Sequence, residues 1–127
     1  MHEYRIFCRR NVNTLKRFEC DVPAPTAREV IRVRAVSLNY RDLIIKRGDH
    51  PVSRENPPIA GTDGAGDVAA VGGEMTRIRT GYSVPGLYCA SCIDGEPIPD
   101  KLALVPGAAT DGMLASASEQ KSSAARS

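Results

Sequence analysis

The stretch Ile59-Ala60-Gly61-Thr62-Asp63-Gly64-Ala65-Gly66-Asp67-Val68-Ala69-Ala70-Val71-Gly72 carries the choice between two folds. Its Gly64-x-Gly66-x-x-Ala69 spacing matches the fingerprint of a dinucleotide-binding turn. That turn works only between a strand and a helix, because the helix N-terminus receives the pyrophosphate. Here the glycines run into Val68-Ala69-Ala70-Val71, a short strand-like segment stopped by Gly72-Gly73. No amphipathic helix follows, and no acidic residue about 20 positions downstream closes a second strand. The match is accidental. Gly61, Gly64 and Gly66 are expected instead to permit a bend in a barrel, or close approach of another backbone.

Working outward, Asp67 to Val71 reads as a strand, Thr80-Gly81 as a turn, and YSVPGLY as a next strand broken by Pro85. Upstream, REVIRVRAVSLN places Ile31, Val33 and Ala35 on one face and Arg32 and Arg34 on the other, with the period of a half-wet sheet. The period changes in NYRDLIIKRG. Asn39 suits an N-cap, Asp42 stands where a carboxylate satisfies early N–H groups, and Leu43 and Ile44 can face the core. Lys46 and Arg47 fall in the last turn and Gly48 suits the C′ position, so a helix of two to three turns is expected. Nearer the start, Tyr4, Ile6 and Cys8 share one face of a strand among the charged neighbours Glu3, Arg5 and Arg9, and Leu15 to Val22 can pair back as a hairpin. From Asp94 to Gly107 the chain is Pro- and Gly-rich, and SASEQKSSAARS, Ser116 to Ser127, lacks apolar periodicity and is expected to be disordered. Short strands, one short helix and long loops add up to a mainly β fold, a small barrel or sandwich.

The chain has 127 residues, enough for one domain, with 25% charged and 42% hydrophobic residues. Its net charge is +2, its arginines are scattered and its aromatic fraction is 5%, which argues against a nucleic-acid partner. No apolar run approaches the roughly 20 residues that span a bilayer, and the start lacks a signal-peptide core. A cytoplasmic protein with reduced thiols at Cys8, Cys20, Cys89 and Cys92 is expected, with no membrane partner.

IRVRAVSLNYRDLIIKRG (31–48), PPIAGTDGAGDVAAVGGEMTRIRTGYSV (57–84) and LYCASCIDGEPIPDKLALVPGAATDGMLA (87–115) together resemble the medium-chain dehydrogenase/reductase superfamily. The similarity is to its N-terminal GroES-like, alcohol dehydrogenase-like domain, in the zinc-independent quinone oxidoreductase-like branch. The resemblance implies a partly open β-barrel over residues 1–115, with 116–127 as a tail. It implies hydride transfer from NAD(P)H to a small-molecule carbonyl, enone or quinone in a cleft shared with a Rossmann half. Zinc-dependent members place a Cys ligand at the start of the short helix and a His ligand after the loop's first Gly. Asn39 and Thr62 stand at those positions here, and neutral oxygens are poor substitutes for thiolate and imidazole, so no zinc is expected.

By the same resemblance Asn39, Asp42 and Thr62 serve catalysis, while Tyr40 and Asp63 bind substrate. Capping by Asn39 and Asp42 and a turn at Thr62-Asp63 remain open as purely structural roles. Cys89-x-x-Cys92 supplies two thiolates where a structural zinc needs four ligands, and neither cysteine is assigned a function. Where relatives lead into the Rossmann half, this sequence turns into a Ser/Ala-rich stretch, so an interrupted or truncated product without activity of its own is expected, with strand edges free for self-association. A stand-alone GroES-like binding or assembly module is the alternative. It would need a long apolar loop early in the chain, where RRNVNT and DVPAPTARE are short and polar.

Overall fold

A computed structural model describes residues 1–9, 12–25, 29–50, 56–73, 78–86, 106–108 and 110–120. In chain order the elements are β1 (His2–Arg9), β2 (Val12–Glu19), β3 (Glu29–Ser37), α1 (Tyr40–Arg47), β4 (Asp63–Val71), β5 (Ser83–Pro85) and β6 (Ala117–Gln120). β1 and β2 form an antiparallel hairpin, and a second antiparallel sheet has the order β5-β4-β3-β6. The two sheets are joined rather than closed. Tyr4 N–H donates to the Leu114 carbonyl at 3.0 Å, Ala60 N–H to the Tyr4 carbonyl at 2.8 Å, and Leu114 N–H to the Ala60 carbonyl at 2.8 Å. This seam stitches β1 to the segments before β4 and before β6, giving the mainly β, partly open barrel that the sequence leads one to expect.

The hairpin pairs His2 with Glu19 through Arg9 with Val12. Ile6 faces inward and is buried, while Phe7 on the opposite face lies 5.5 Å from the Phe18 ring centroid. Glu3 is buried despite its charge, because its carboxylate accepts from Arg5 Nε at 2.5 Å. That bond holds the Arg5 guanidinium pKa above its ordinary value.

Alternation in β3 holds for Ile31, Arg32 and Val33 and then slips. A register irregularity between Val33 and Ala35 puts Val36 inward and leaves Ala35 exposed. One unpaired residue reverses the faces beyond it, and that is why a strict period-two reading misplaces Ala35. β4 begins at Asp63, four residues before the expected start, so the glycines lie inside an antiparallel strand. Gly66 pairs with Val33, and a Cβ there would lie 2.1 Å from the Arg32 carbonyl oxygen. The glycine is required by backbone contact.

Helix α1 keeps its expected caps. Asp42 Oδ2 accepts from Asn39 N–H at 2.7 Å. At the other end Gly48 adopts φ 88°, with Gly48 N–H on the Ile45 carbonyl and Asp49 N–H on the Ile44 carbonyl. The buried side chain is Ile45, whereas Leu43 is 48% exposed, which corrects the expected core face by about half a turn. A helix this short rests on one stripe, and that stripe is set by what lies beneath.

Two apolar clusters fill the interior. Ile31, Val68, Ile78, Val84 and Met113 form one beneath the larger sheet; Ile6, Ile45, Ala60 and Ala108 form the other, under α1. The stretch from Ser116, expected to be without structure, supplies β6. Glu29 pairs with Gln120 and Arg32 with Ala117, and the Ser118 hydroxyl donates to the Gly112 carbonyl at 2.7 Å. Polar composition conceals this strand because only Ala117 and Ser118 turn fully inward among its described side chains. Residues 121–127 and most of the Pro- and Gly-rich segment, save 106 and 107, lie outside the described residues, as do Cys89 and Cys92.

Candidate functional site

Five positions singled out in the sequence gather at the N-terminal end of α1. Ser37 ends β3, so the chain leaves the sheet directly into Asn39 and the first helical turn. Asn39 has φ −115° and ψ 163°, the extended geometry of an N-cap. Asn39 and Asp42 make up a capping box, and the side-chain nitrogen of Asn39 is turned toward the start of β4. It donates to an Asp63 carboxylate oxygen and stands 3.5 Å from Thr62 Oγ1. Asp42 is turned back toward the helix start by its bond to the Asn39 backbone. Thr62 is buried and Asp63 half-buried, both behind Asn39, while Tyr40 projects outward with 69% exposure. The capping role left open for Asn39 and Asp42 is therefore present in the geometry, and Asn39 is held in addition by its side-chain contact with Asp63.

In front of this cluster lies a cavity of about 470 Å³. Asn39, Tyr40 and Asp42 line it; Thr62 and Asp63 do not. Its wall is apolar: Ile6 from β1, Leu15 from β2, Leu38, Leu43 and Leu114. Leu15, Leu38 and Leu43 are more than 40% exposed, so the cavity opens through a hydrophobic rim. Lys46 completes the lining one helical turn beyond Asp42. Sequence reasoning found the polar corner and missed this wall, whose residues come from four separate segments. Exposed leucines on both sides of an N-cap were the available signal.

Other polar groups lie away from the cavity. Asp67 on β4 accepts from Arg34 Nε at 2.8 Å and from the Ser83 hydroxyl at 3.1 Å, and these bonds, Arg34 first, hold its carboxyl below the usual carboxylate range. Desolvation and the neighbouring Glu3 push the Cys20 thiol up, away from thiolate reactivity.

Among the described residues no group of three or more His, Cys, Asp or Glu side chains is disposed to hold a metal. At Asn39 and Thr62 the available donors are one amide and one hydroxyl, and the amide nitrogen is already donating. This donor set does not fit a catalytic zinc. Nor do the described residues fit a dinucleotide, since Gly64 and Gly66 sit in an antiparallel strand and no helix N-terminus follows them. No helix among the described residues is long and apolar enough to cross a membrane.

A mainly β half-open barrel with an N-capped helix beside a glycine-bearing strand is matched by known proteins. The chain is 38% identical over 68 residues to a zinc-type alcohol dehydrogenase-like protein of Schizosaccharomyces pombe, covering 54% of this chain and 20% of that one. It is 43% identical over 61 residues to a quinone oxidoreductase of Pseudomonas aeruginosa, covering 47% and 18%. The chain thus spans about a fifth of the length of these relatives. In fold it is similar to a thermostable alcohol dehydrogenase from Pyrobaculum aerophilum, with a TM-score of 0.76 and 24% identity over 98% of this chain and 40% of that one. Residues 27–122, from before β3 to beyond β6, match the family model of the alcohol dehydrogenase GroES-like domain, and with the sheet order and capped helix in place the chain belongs to that family.

Proposed function

We propose that this domain forms the substrate-side wall of an oxidoreductase site that transfers hydride between a nicotinamide cofactor and a small carbonyl, enone or quinone, without catalytic zinc. The observation that carries the reading is the side-chain amide of Asn39, anchored on Asp63 at the polar corner of an otherwise apolar cavity. A primary amide has two N–H donors. One is committed to Asp63. Thr62 Oγ1, at 3.5 Å, is too distant to hold the other strongly, which leaves it for a substrate oxygen. Tyr40 supplies a hydroxyl at the mouth, and Asp42 fixes the position of the helix end. Leu38, Leu43 and Leu114 exclude water from the body of the ligand, which strengthens each of these polar contacts. Similarity to both a quinone oxidoreductase and a zinc-type alcohol dehydrogenase-like protein supports the reaction class, and the donor chemistry at Asn39 and Thr62 supports the zinc-free branch.

Hydride transfer would require a nucleotide-binding half beyond the described residues. The 127-residue chain assayed by itself is therefore expected to give no NADPH-dependent reduction of a quinone or enone. The deciding measurement is metal content of the chain purified from zinc-supplemented medium, together with amide NMR shifts on adding 1,4-naphthoquinone. Substoichiometric zinc and shifts centred on Asn39 and Leu43 agree with the reading. One zinc per chain, lost on Asn39→Ala, would overturn it.

A further inference from the structure

Among the described residues Lys46 is the only cation lining the cavity, and it stands about two helical turns from Asn39. Asn39, Asp42, Leu43 and Lys46 are spaced at three- and four-residue intervals and so share one face of α1. Seven residues separate Asn39 from Lys46, roughly 10 Å along a helix. Between them the lining is Leu43 from the helix, with Leu15, Ile6 and Leu114 opposite. Asp42 keeps its charge, but its carboxylate is drawn back to the Asn39 N–H at the helix start, and Lys46 makes no ion pair among the described residues. The cavity thus has a polar corner at Asn39 and Asp42, an apolar wall of Ile6, Leu15, Leu43 and Leu114, and a cation, Lys46, at its far rim.

From this graded lining we infer that the preferred ligand is a carbonyl compound with an anionic group at the end remote from its reacting oxygen, separated by a medium-length apolar chain, and that Lys46 selects for the anion. The inference rests on the substrate-side reading above. An oxo acid fits this pattern, with its ketone at Asn39, its methylenes against Leu43 and Leu15, and its carboxylate at the Lys46 ammonium. The apolar wall lowers the local dielectric around that last contact, so the charge pair gains over one fully in water. A neutral ligand of the same shape would lose that contact and keep the rest.

The test uses the 127-residue chain, with 9-oxodecanoate and its methyl ester as probes and NMR titration as the readout. Wild-type chain is expected to bind the acid on the order of tenfold more tightly than the ester. Lys46→Met should remove that preference while leaving ester affinity unchanged, and Lys46→Arg should restore it. The acid's advantage should also shrink at high salt. Equal affinity of acid and ester for wild type would sink the selection by Lys46 but leave the apolar cavity and the zinc-free reading intact. Loss of ester binding along with acid binding in Lys46→Met would sink it too, since the residue would then be shaping the cavity rather than reading charge. Failure of both probes to bind wild type would also overturn the inference, whereas the reaction class is decided separately by zinc content and naphthoquinone shifts.

Discussion

The side-chain amide of Asn39 donates to the carboxylate of Asp63, tying the N-cap of α1 to the residue that starts β4 across 24 positions of sequence. One contact therefore fixes both the direction in which the helix leaves the sheet and the direction in which the amide faces the cavity. An N-cap residue would ordinarily turn its side chain onto its own helix. Here Asn39 and Asp42 form a reciprocal capping box, and the amide nitrogen of Asn39, a donor that cannot cap an N–H, is left for the strand.

Asn39→Asp would place two carboxylates against each other. We expect a loss of about 1–2 kcal/mol of stability, because Asp63 loses a donor and gains a like charge. Urea denaturation checks this. An unchanged midpoint would mean that the amide does not hold Asp63.

Gly66→Ala should destabilise by about 2–3 kcal/mol, since its methyl would meet the Arg32 carbonyl oxygen at 2.1 Å and Ile31 Cγ2 at 2.8 Å. Gly73→Ala, with nothing within 4 Å of the added carbon, should change stability by less than about 0.5 kcal/mol. Comparing the two midpoints separates contact from composition.

The Asp67 carboxyl is held below its ordinary range first by Arg34 and then by Ser83. A carboxyl depressed on folding favours the native state above its unfolded value, about 3.9, and that contribution disappears as pH falls through the folded value. Because Asp67 and Arg34 are 36% and 61% exposed, the effect on stability is small and the useful readout is spectroscopic. Arg34→Gln should move the Asp67 carboxyl titration, followed by carbon NMR, upward toward the ordinary range. Added salt should do so partly in the wild type.

Ser118→Ala should cost about 1–2 kcal/mol, because the Gly112 carbonyl would lose a buried donor at 2.7 Å. Ala117→Asp should cost more, since Ala117 is 5% exposed and a carboxylate there has no partner in place. Thermal unfolding of both variants tests whether β6 belongs to the cooperative unit. A midpoint unmoved by Ala117→Asp would show that it does not.

By itself the sequence determined what depends on neighbours within one turn or one strand. The Asn39–Asp42 pairing, the left-handed Gly48 and the rejection of Gly64-x-Gly66 as a nucleotide turn are all local, because each is set by backbone groups a few residues apart. The β1–β2 hairpin was legible for the same reason, although its second strand is Val12–Glu19 and not the expected Leu15 to Val22. Tertiary structure decided the rest. The slip in β3 that turns Ala35 outward, the burial of Ile45 in place of Leu43, and the pairing of β6 with β3 each depend on a partner brought up from far along the chain. So does the cavity, whose wall combines Ile6, Leu15, Leu43 and Leu114. Apolar residues carry no record of which partner they will meet, and only closing the loops between them puts those four around one space.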